Sequence, residues 1–400
     1  MNNSIFVLLS KVLSLLITFI CTALAARELG VELFGTYSLI KSIVTFIFVF
    51  SSIGNDIYII SKASEGKQSV NLRHLYILRM LVFFILVIPV FVNFESYLAL
   101  VLSLTYLLHL SNFGIIYCLV NRKGRDYFKS SLISFVICIS FTILISVGFL
   151  SISYIYIIPL YYLILNGLMF NFSIKMLSIN FPYHNFFETV KMLWRDVWPI
   201  MLTSSLVFLY TRVDIFMMSS LMGSKEVGTY SIAMQLTEPL SFVVTSFAAS
   251  IVANLKNESK KHDKDVLVVR YIKIVNLYSL SILIGSFLFG EYFILLIFGH
   301  EYQSSYIPLL ILSFSKLFVF ANTFISSVMI VDGNYLSRLF RTIITLALNV
   351  IISYILIPIY GMNGAAISVL ITQAMSLTLV NFYFTNTRQY ALLYFRSFKL

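Results

Sequence analysis

The chain has 400 residues, of which 59% are apolar and only 11% charged, and its mean hydropathy is +0.92. A soluble globular domain carries roughly 25% charged residues, so this chain lacks the polar surface to face water, and its 37 Phe and 25 Tyr are too widely spread for a single anchor. A net charge of +11 alone would suit a nucleic-acid partner, but the basic residues gather between apolar runs, as in the cytoplasmic loops of membrane proteins.

A bilayer span needs about 20 apolar residues. Apolar runs between polar breaks predict twelve spans, at about 4–26, 36–60, 74–93, 97–120, 128–149, 152–173, 196–222, 228–252, 270–289, 309–330, 339–358 and 362–385. Ala23-Leu24-Ala25 resembles a signal cleavage site, but no basic residue precedes the first run and its apolar stretch exceeds a signal core, so it is read as a true span. Cys21, Cys118 and Cys138 are odd in number, lie within apolar runs and form no CxxC, which predicts buried thiols rather than a disulfide or metal framework.

Orientation follows from Lys and Arg. With the N-terminus inside, 22 of the 28 basic residues fall on the cytoplasmic side, and only Arg27 and Lys225 lie in outer loops. Both termini are therefore expected in the cytoplasm.

An internal repeat is also legible. Leu29-Gly30 and Gly35-Thr36-Tyr37-Ser38 return as Met222-Gly223 and Gly228-Thr229-Tyr230-Ser231, at an offset of 193 residues. Pro159-Leu160-Tyr161 answers Pro358-Ile359-Tyr360 at a similar offset. The prediction is an all-α integral membrane fold of twelve transmembrane helices in two six-helix bundles. These are residues 1–180 and 196–400, the second with a cytoplasmic tail, joined by a cytoplasmic linker at 181–195. Six is even, so the halves are parallel repeats, an architecture that places substrate between repeats and works by alternating access. The glycine–tyrosine motifs also have a plainer role, in tight turns and close helix packing. Pro199 and Pro239 are expected to interrupt the seventh and eighth spans.

Ionisable residues within spans are costly, at about 2.5–3.5 kcal/mol each on insertion scales, and each asks for a reason. At ~1.5 Å rise per residue, Arg212 and Glu238 both lie roughly 15 Å deep on sequential antiparallel spans, where they could pair. Asp214 and Lys316 lie at roughly 12 Å and His109 at roughly 18 Å by the same rise. Lys11 and Lys41 are shallower, so they can either snorkel or face a lumen. Asp56 falls near the cytoplasmic end of its span, solvated. Helix spacing places Arg212 and Asp214 on different faces. The layer of Arg212, Lys316, Asp214 and Glu238 is neutral, and Lys11 and Lys41 tip the interior positive. This is either a structural polar layer or the lining of a water-filled cavity.

Several segments resemble the bacterial polysaccharide (O-antigen, Wzx-type) flippases of the multidrug/oligosaccharidyl-lipid/polysaccharide exporter superfamily. They are Arg27-Glu28-Leu29-Gly30 through Gly35-Thr36-Tyr37-Ser38, Asp214 ahead of Gly228 through Glu238, Ile297-Phe298-Gly299-His300-Glu301-Tyr302, and above all Asn349 through Ser368 with Ile357-Pro358-Ile359-Tyr360-Gly361-Met362-Asn363-Gly364. The resemblance covers nearly the whole chain. It implies a multi-pass protein of the bacterial inner membrane, not an enzyme, that moves undecaprenyl-diphosphate-linked oligosaccharide from the cytoplasmic to the periplasmic leaflet. It also implies no bound cofactor, coupling to an ion gradient or membrane potential, contact with membrane lipids, and association with a polysaccharide polymerase and chain-length proteins. Arg212, Lys11, Lys41 and Lys316 are the expected substrate contacts, and Asp214 and Glu238 the ion-coupling or charge-balancing pair.

Three rival functions differ in what they require. A multidrug cation antiporter of the same superfamily would favour an acidic interior, and a lipid II flippase typically has two additional spans. A membrane polymerase or transferase needs a long outer loop or clustered carboxylates, which this sequence does not offer. No Walker A motif is present, so ATP is not the direct energy source.

The charge count generates the first prediction. In a cysteine-free background, an impermeant thiol reagent applied to intact cells is expected to label Ser304→Cys and not Ser259→Cys. Labelling at residue 259 alone inverts the topology.

Overall fold

The computed structural model describes residues 2–52, 72–94, 97–110, 112–177, 186–255, 261–383 and 387–398. Asp56, Lys62, Lys67, Lys256, Ser259, Lys260 and Lys399 lie outside them. The helices are α1 (Asn2–Ser52), α2 (Leu72–Asn93), α3 (Tyr97–Leu110), α4 (Phe113–Val120), α5 (Gly124–Ser146), α6 (Ile157–Leu177), α7 (Phe186–Tyr210) and α8 (Val213–Leu221). They continue as α9 (Ser224–Thr237), α10 (Ser241–Leu255), α11 (Lys261–Ile297), α12 (Tyr306–Val331), α13 (Tyr335–Met375) and α14 (Arg388–Arg396). Short 3-10 segments precede α6 and α12, and a π turn, Ser376–Val380, follows α13. No strand occurs among the described residues. Helices satisfy their own backbone within one segment, which hydrocarbon demands.

Among the described residues, eight helical segments are long and apolar enough to cross a membrane, and a ninth is the pair α7–α8, bent by 45°. The most apolar stretch of α11 is almost entirely unburied. Leu277, Phe287 and Leu288 on that helix are all more than half exposed. An apolar surface turned outward on this scale needs lipid as its solvent, so the protein is a multi-pass membrane protein.

The helix boundaries differ from the sequence reading in instructive places. The predicted first and second spans both lie on α1, as two helices that meet at a kink at Gly30 (φ 70°, ψ 173°) with no loop between them. Likewise α13 joins two helices across a kink at Gly361 (φ 57°, ψ −135°), the first on the span predicted at 339–358 and the second on most of the span predicted at 362–385. Pro239 does mark a break, between α9 and α10, but α7 continues through Pro199. The seventh span breaks instead at Thr211-Arg212. Arg79, Arg338 and Arg341, three of the 22 basic residues counted toward the cytoplasmic side, lie on α2 and α13, and Arg79 and Arg341 are buried.

By compactness the chain forms two units: Met1–Leu29 with Leu39–Ser205, and Gly30–Ser38 with Leu206–Leu400. In the first unit, α6 packs on α3, α4 and α5. Its core joins Ile17, Cys21, Cys118, Tyr127, Cys138, Ile157, Tyr161 and Met169, so the three thiols are buried and free. In the second unit α12 packs between α11 and α13, around Phe320, Ala321, Phe324, Ile325 and Val328. Its end is fastened by Asp332, which pairs with Lys264 and accepts from the Tyr390 hydroxyl on α14.

The repeat motifs meet within the second unit. A Cβ on Gly35 would fall 1.8 Å from the Ser224 carbonyl oxygen, and a Cβ on Gly228 would fall 2.0 Å from the Val31 carbonyl oxygen. Residues 31 and 224 share the 193-residue offset of the two glycines, so the contact is reciprocal. Gly223 (φ 92°, ψ 177°) also repeats the conformation of Gly30. Both backbones approach so closely that only hydrogen fits. Gly35→Ala and Gly228→Ala are each expected to cost about 1–3 kcal/mol by overpacking, seen as a lower melting temperature of the purified protein. Gly285→Ala, where nothing lies within 4 Å, is expected to leave melting unchanged or slightly raised.

Candidate functional site

Two helix breaks of the second unit each carry a charge. Arg212 stands between α7 and α8 with φ −128°, ψ −2°, and Glu238 ends α9 beside Pro239. Where the helix opens after Tyr210, its carbonyl accepts from the Asn349 side chain at 2.8 Å, which meets the requirement that freed backbone groups find a partner. Arg212 Nη2 donates to Glu238 Oε2 at 2.7 Å. The side chains are 20% and 36% exposed, so this ion pair is accessible rather than sealed. The guanidinium also lies 5.8 Å from the Phe208 ring centroid and reaches Met234 Sδ at 3.9 Å.

Asp214, two residues on, is 1% exposed. Its Oδ1 accepts the Ile215 amide at 2.9 Å and its Oδ2 accepts the Tyr230 hydroxyl at 2.5 Å. It sits in the first turn of α8, where the helix dipole favours a carboxylate. Helix spacing separates Arg212 and Asp214 onto different faces, yet both act electrostatically on Tyr230, as does Glu238. The break explains this, because Arg212 is not in regular helix and so escapes the 100° periodicity.

Lys316 on α12 is 8% exposed, with its Nζ 6.0 Å from the Phe320 ring centroid. It lies within electrostatic reach of Glu238, Arg212 and Asp214. The structure thus places Arg212, Glu238 and Asp214 at neighbouring helix breaks of one unit, with Lys316 within electrostatic reach of all three, two cations and two carboxylates in all. Lys11, exposed on α1, and Lys41, half-buried, belong to the first unit, as does His109. His109 stands edge-on to Phe48 and Tyr162, with ring centroids at 4.9 and 5.0 Å.

The Tyr230 hydroxyl and Asn349 are partners that charge-based reading missed. Both were present in the sequence as members of quoted motifs, but only the fold shows what they bond. Among the described residues no three His, Cys, Asp or Glu side chains are grouped to hold a metal ion. The cluster can bind an anionic group through Arg212 if Glu238 yields, or a cation through its two carboxylates.

Comparison with known proteins agrees with this architecture. The profile of the polysaccharide biosynthesis protein family matches residues 1–253, and that of the MatE family matches residues 199–355. The capsular polysaccharide biosynthesis protein CapF of Staphylococcus aureus is 26% identical over 213 residues, 52% of this chain and 53% of CapF. The match thus spans about half the length of that relative. An uncharacterised membrane protein of Methanocaldococcus jannaschii is 25% identical, over 93% of this chain and 94% of its own. Among solved structures, the lipid II flippase MurJ in its inward closed conformation superposes with TM-score 0.72 at 15% identity, covering 98% of this chain and 90% of MurJ. Identity that low shows the fold alone, which is that of the multidrug/oligosaccharidyl-lipid/polysaccharide transporters.

The Asp214–Tyr230 bond generates a stability prediction. Tyr230→Phe removes a donor from a buried carboxylate and is expected to cost about 1–3 kcal/mol. In an Asp214→Asn background the same change is expected to cost much less, as read from a double-mutant cycle of unfolding. Equal costs in both backgrounds would mean that the bond contributes nothing.

Proposed function

Because the chain belongs to the polysaccharide biosynthesis protein family, we propose that it is a flippase for undecaprenyl-diphosphate-linked oligosaccharide, a repeat unit of O-antigen or capsular type. It moves this lipid from the cytoplasmic to the outer leaflet of the bacterial inner membrane by alternating access. The observation that carries the reading is Arg212: an accessible guanidinium held at a helix break by a partner that substrate can displace. Discontinuous helices supply the substrate and ion sites of transporters with this kind of repeat. A guanidinium offers a diphosphate two parallel donors, which an ammonium cannot reproduce.

In this reading α1 and α13 count as two spans each, folded at Gly30 and Gly361, and α3–α4, α7–α8 and α9–α10 count as one each. The total is then twelve, six on either side of the 181–195 linker, with both termini cytoplasmic. Arg212 and Lys316, with Lys11 and Lys41 from the first unit, contact diphosphate or sugar. Asp214 and Glu238 balance these cations or couple transport to an ion gradient or the membrane potential. A polymerase and chain-length proteins are the partners that receive the flipped unit.

The MatE match over residues 199–355 supports a multidrug cation antiporter as the alternative. Against it stands the charge of the chosen residues, four basic to two acidic, which repels a cationic drug. A lipid II flippase remains the second alternative.

The test combines deletion with substitution. Loss of the gene is expected to strand lipid-linked repeat units on the cytoplasmic leaflet and to abolish long surface polysaccharide. Arg212→Ala is expected to insert normally and fail to transport, with Arg212→Lys recovering only part, and adding Glu238→Gln should rescue neither. If Glu238→Gln restores transport to Arg212→Ala, the pair is structural. Full transport by well-expressed Arg212→Ala would sink the reading.

A further inference from the structure

The polar groups of the second unit do not stop at Arg212. On α13, Arg338 and Arg341 are three residues apart and so share a helix face. Arg338 is half-buried and Arg341 is 4% exposed. Arg341 Nη2 donates to the Ser326 hydroxyl on α12, while its Nη1 is buried with no hydrogen-bond partner among the described residues. Neither guanidinium has a carboxylate partner among the described residues. The ionisable groups acting on Arg341 are Tyr210, Arg338 and Tyr390, none of which carries a negative charge at neutral pH.

Two like charges on one helix face, one half-buried and the other buried with a donor unspent, form an arrangement that an anion would complete. The surroundings offer more donors. Tyr210 stands beside Gln373, and Gln373 in turn accepts from Asn322 at 3.0 Å. From Arg341 the polar groups continue along α13 to Asn349, which bonds the Tyr210 carbonyl at 2.8 Å, just ahead of Arg212. Ser353 and Thr372 close on the Asn349 side-chain oxygen at 3.3 and 3.5 Å. A column of hydrogen-bonding side chains thus joins the paired arginines to the Arg212 cluster within one unit.

We propose that Arg338 and Arg341 form a binding site for a phosphate or diphosphate group, separate from the Arg212 cluster. Ser326 and Tyr210 are its neutral donors, and Arg338, the less buried of the two, is the side from which the anion enters. The guanidinium forks match phosphate oxygens two at a time. The same chemistry is presented by the diphosphate of a polyprenyl carrier and by the headgroup of an anionic phospholipid, whose phosphodiester has no choline cation to neutralise it. The assignment rests on the unpaired charges and does not require that the protein flip an oligosaccharide.

Binding can be measured without transport, so the two readings fail separately. The full chain carrying Arg212→Ala, which removes the guanidinium of the other cluster, is purified in phosphatidylcholine nanodiscs. It is titrated with inorganic diphosphate and with farnesyl diphosphate, and separately placed in nanodiscs containing phosphatidylglycerol. Calorimetry and the melting temperature are the readouts. At least one probe is expected to bind and to raise the melting temperature. Arg338→Gln and Arg341→Gln are each expected to weaken that binding about tenfold, with Arg341→Lys in between. A response to the diphosphates identifies the carrier as the source, whereas a response to phosphatidylglycerol alone identifies the lipid headgroup. Should Arg341→Gln fail to fold, Arg338→Gln carries the test. Overturning results are parent protein that binds none of the probes, or Arg338→Gln that melts like its parent and binds with unchanged affinity.

Discussion

Inside hydrocarbon a backbone amide or carbonyl has no water to turn to, and leaving one unpaired costs several kcal/mol. That constraint explains why the described chain is helix almost throughout and why its interruptions carry so much information. Each break must be met by something. Gly30 and Gly361 turn their helices with positive φ and no loop. The opening after Tyr210 is met by Asn349. The opening at Glu238-Pro239 is bridged by the Ser241 amide, which donates to the Glu238 carbonyl at 2.9 Å. The last two breaks are also where Arg212 and Glu238 stand. Once the regular helix is given up, a charged side chain gains freedom of direction that the 3.6-residue period would deny it.

Close packing between the repeats has a similarly local cause. Without a hydrophobic driving force between helices in lipid, association depends on how near two backbones can come. Gly35 and Gly228 bring them to the point where any side chain would collide with a carbonyl oxygen of the opposing helix. The neighbouring residues exploit that approach. The Thr36 hydroxyl reaches the Ser224 hydroxyl at 3.3 Å, Phe34 stands edge-on to Tyr302, and the Thr229 carbonyl accepts from Ser305 at 2.6 Å. Tyr230, one residue past this seam, is carried into the interior, where its hydroxyl meets Asp214. The motif that reads as a turn signal is therefore also what positions a partner of the buried carboxylate.

The charges of the second unit fall into two kinds. The Arg212–Glu238 pair and the nearby Asp214 and Lys316 compensate one another, and such a neutral cluster can reorganise around a ligand or an ion without leaving a bare charge. Arg338 and Arg341 have no carboxylate partner among the described residues, and the sequence count had placed them simply on the cytoplasmic side. The basic excess of this chain is thus not only an orientation signal. Part of it lies on helices, facing other polar side chains.

By itself the sequence determined the class of the molecule, because composition and the length of apolar runs leave no alternative to a polytopic helical protein. It also determined the repeat, since matched glycines at a fixed offset survive as residue identities whatever their packing, and it singled out Arg212, Asp214, Glu238 and Lys316 because charge inside an apolar run is conspicuous. Tertiary structure alone decided where the helices break: a proline lowers the cost of a break but does not compel one, as Pro199 within an unbroken α7 demonstrates. It decided that Gly30 and Gly361 need no loop, because positive φ is a property of backbone conformation rather than of composition. And it decided the partners, from Tyr230 on Asp214 to the unpaired Nη1 of Arg341, because a hydrogen bond between residues far apart in the chain depends on distance and direction, which a linear pattern does not contain.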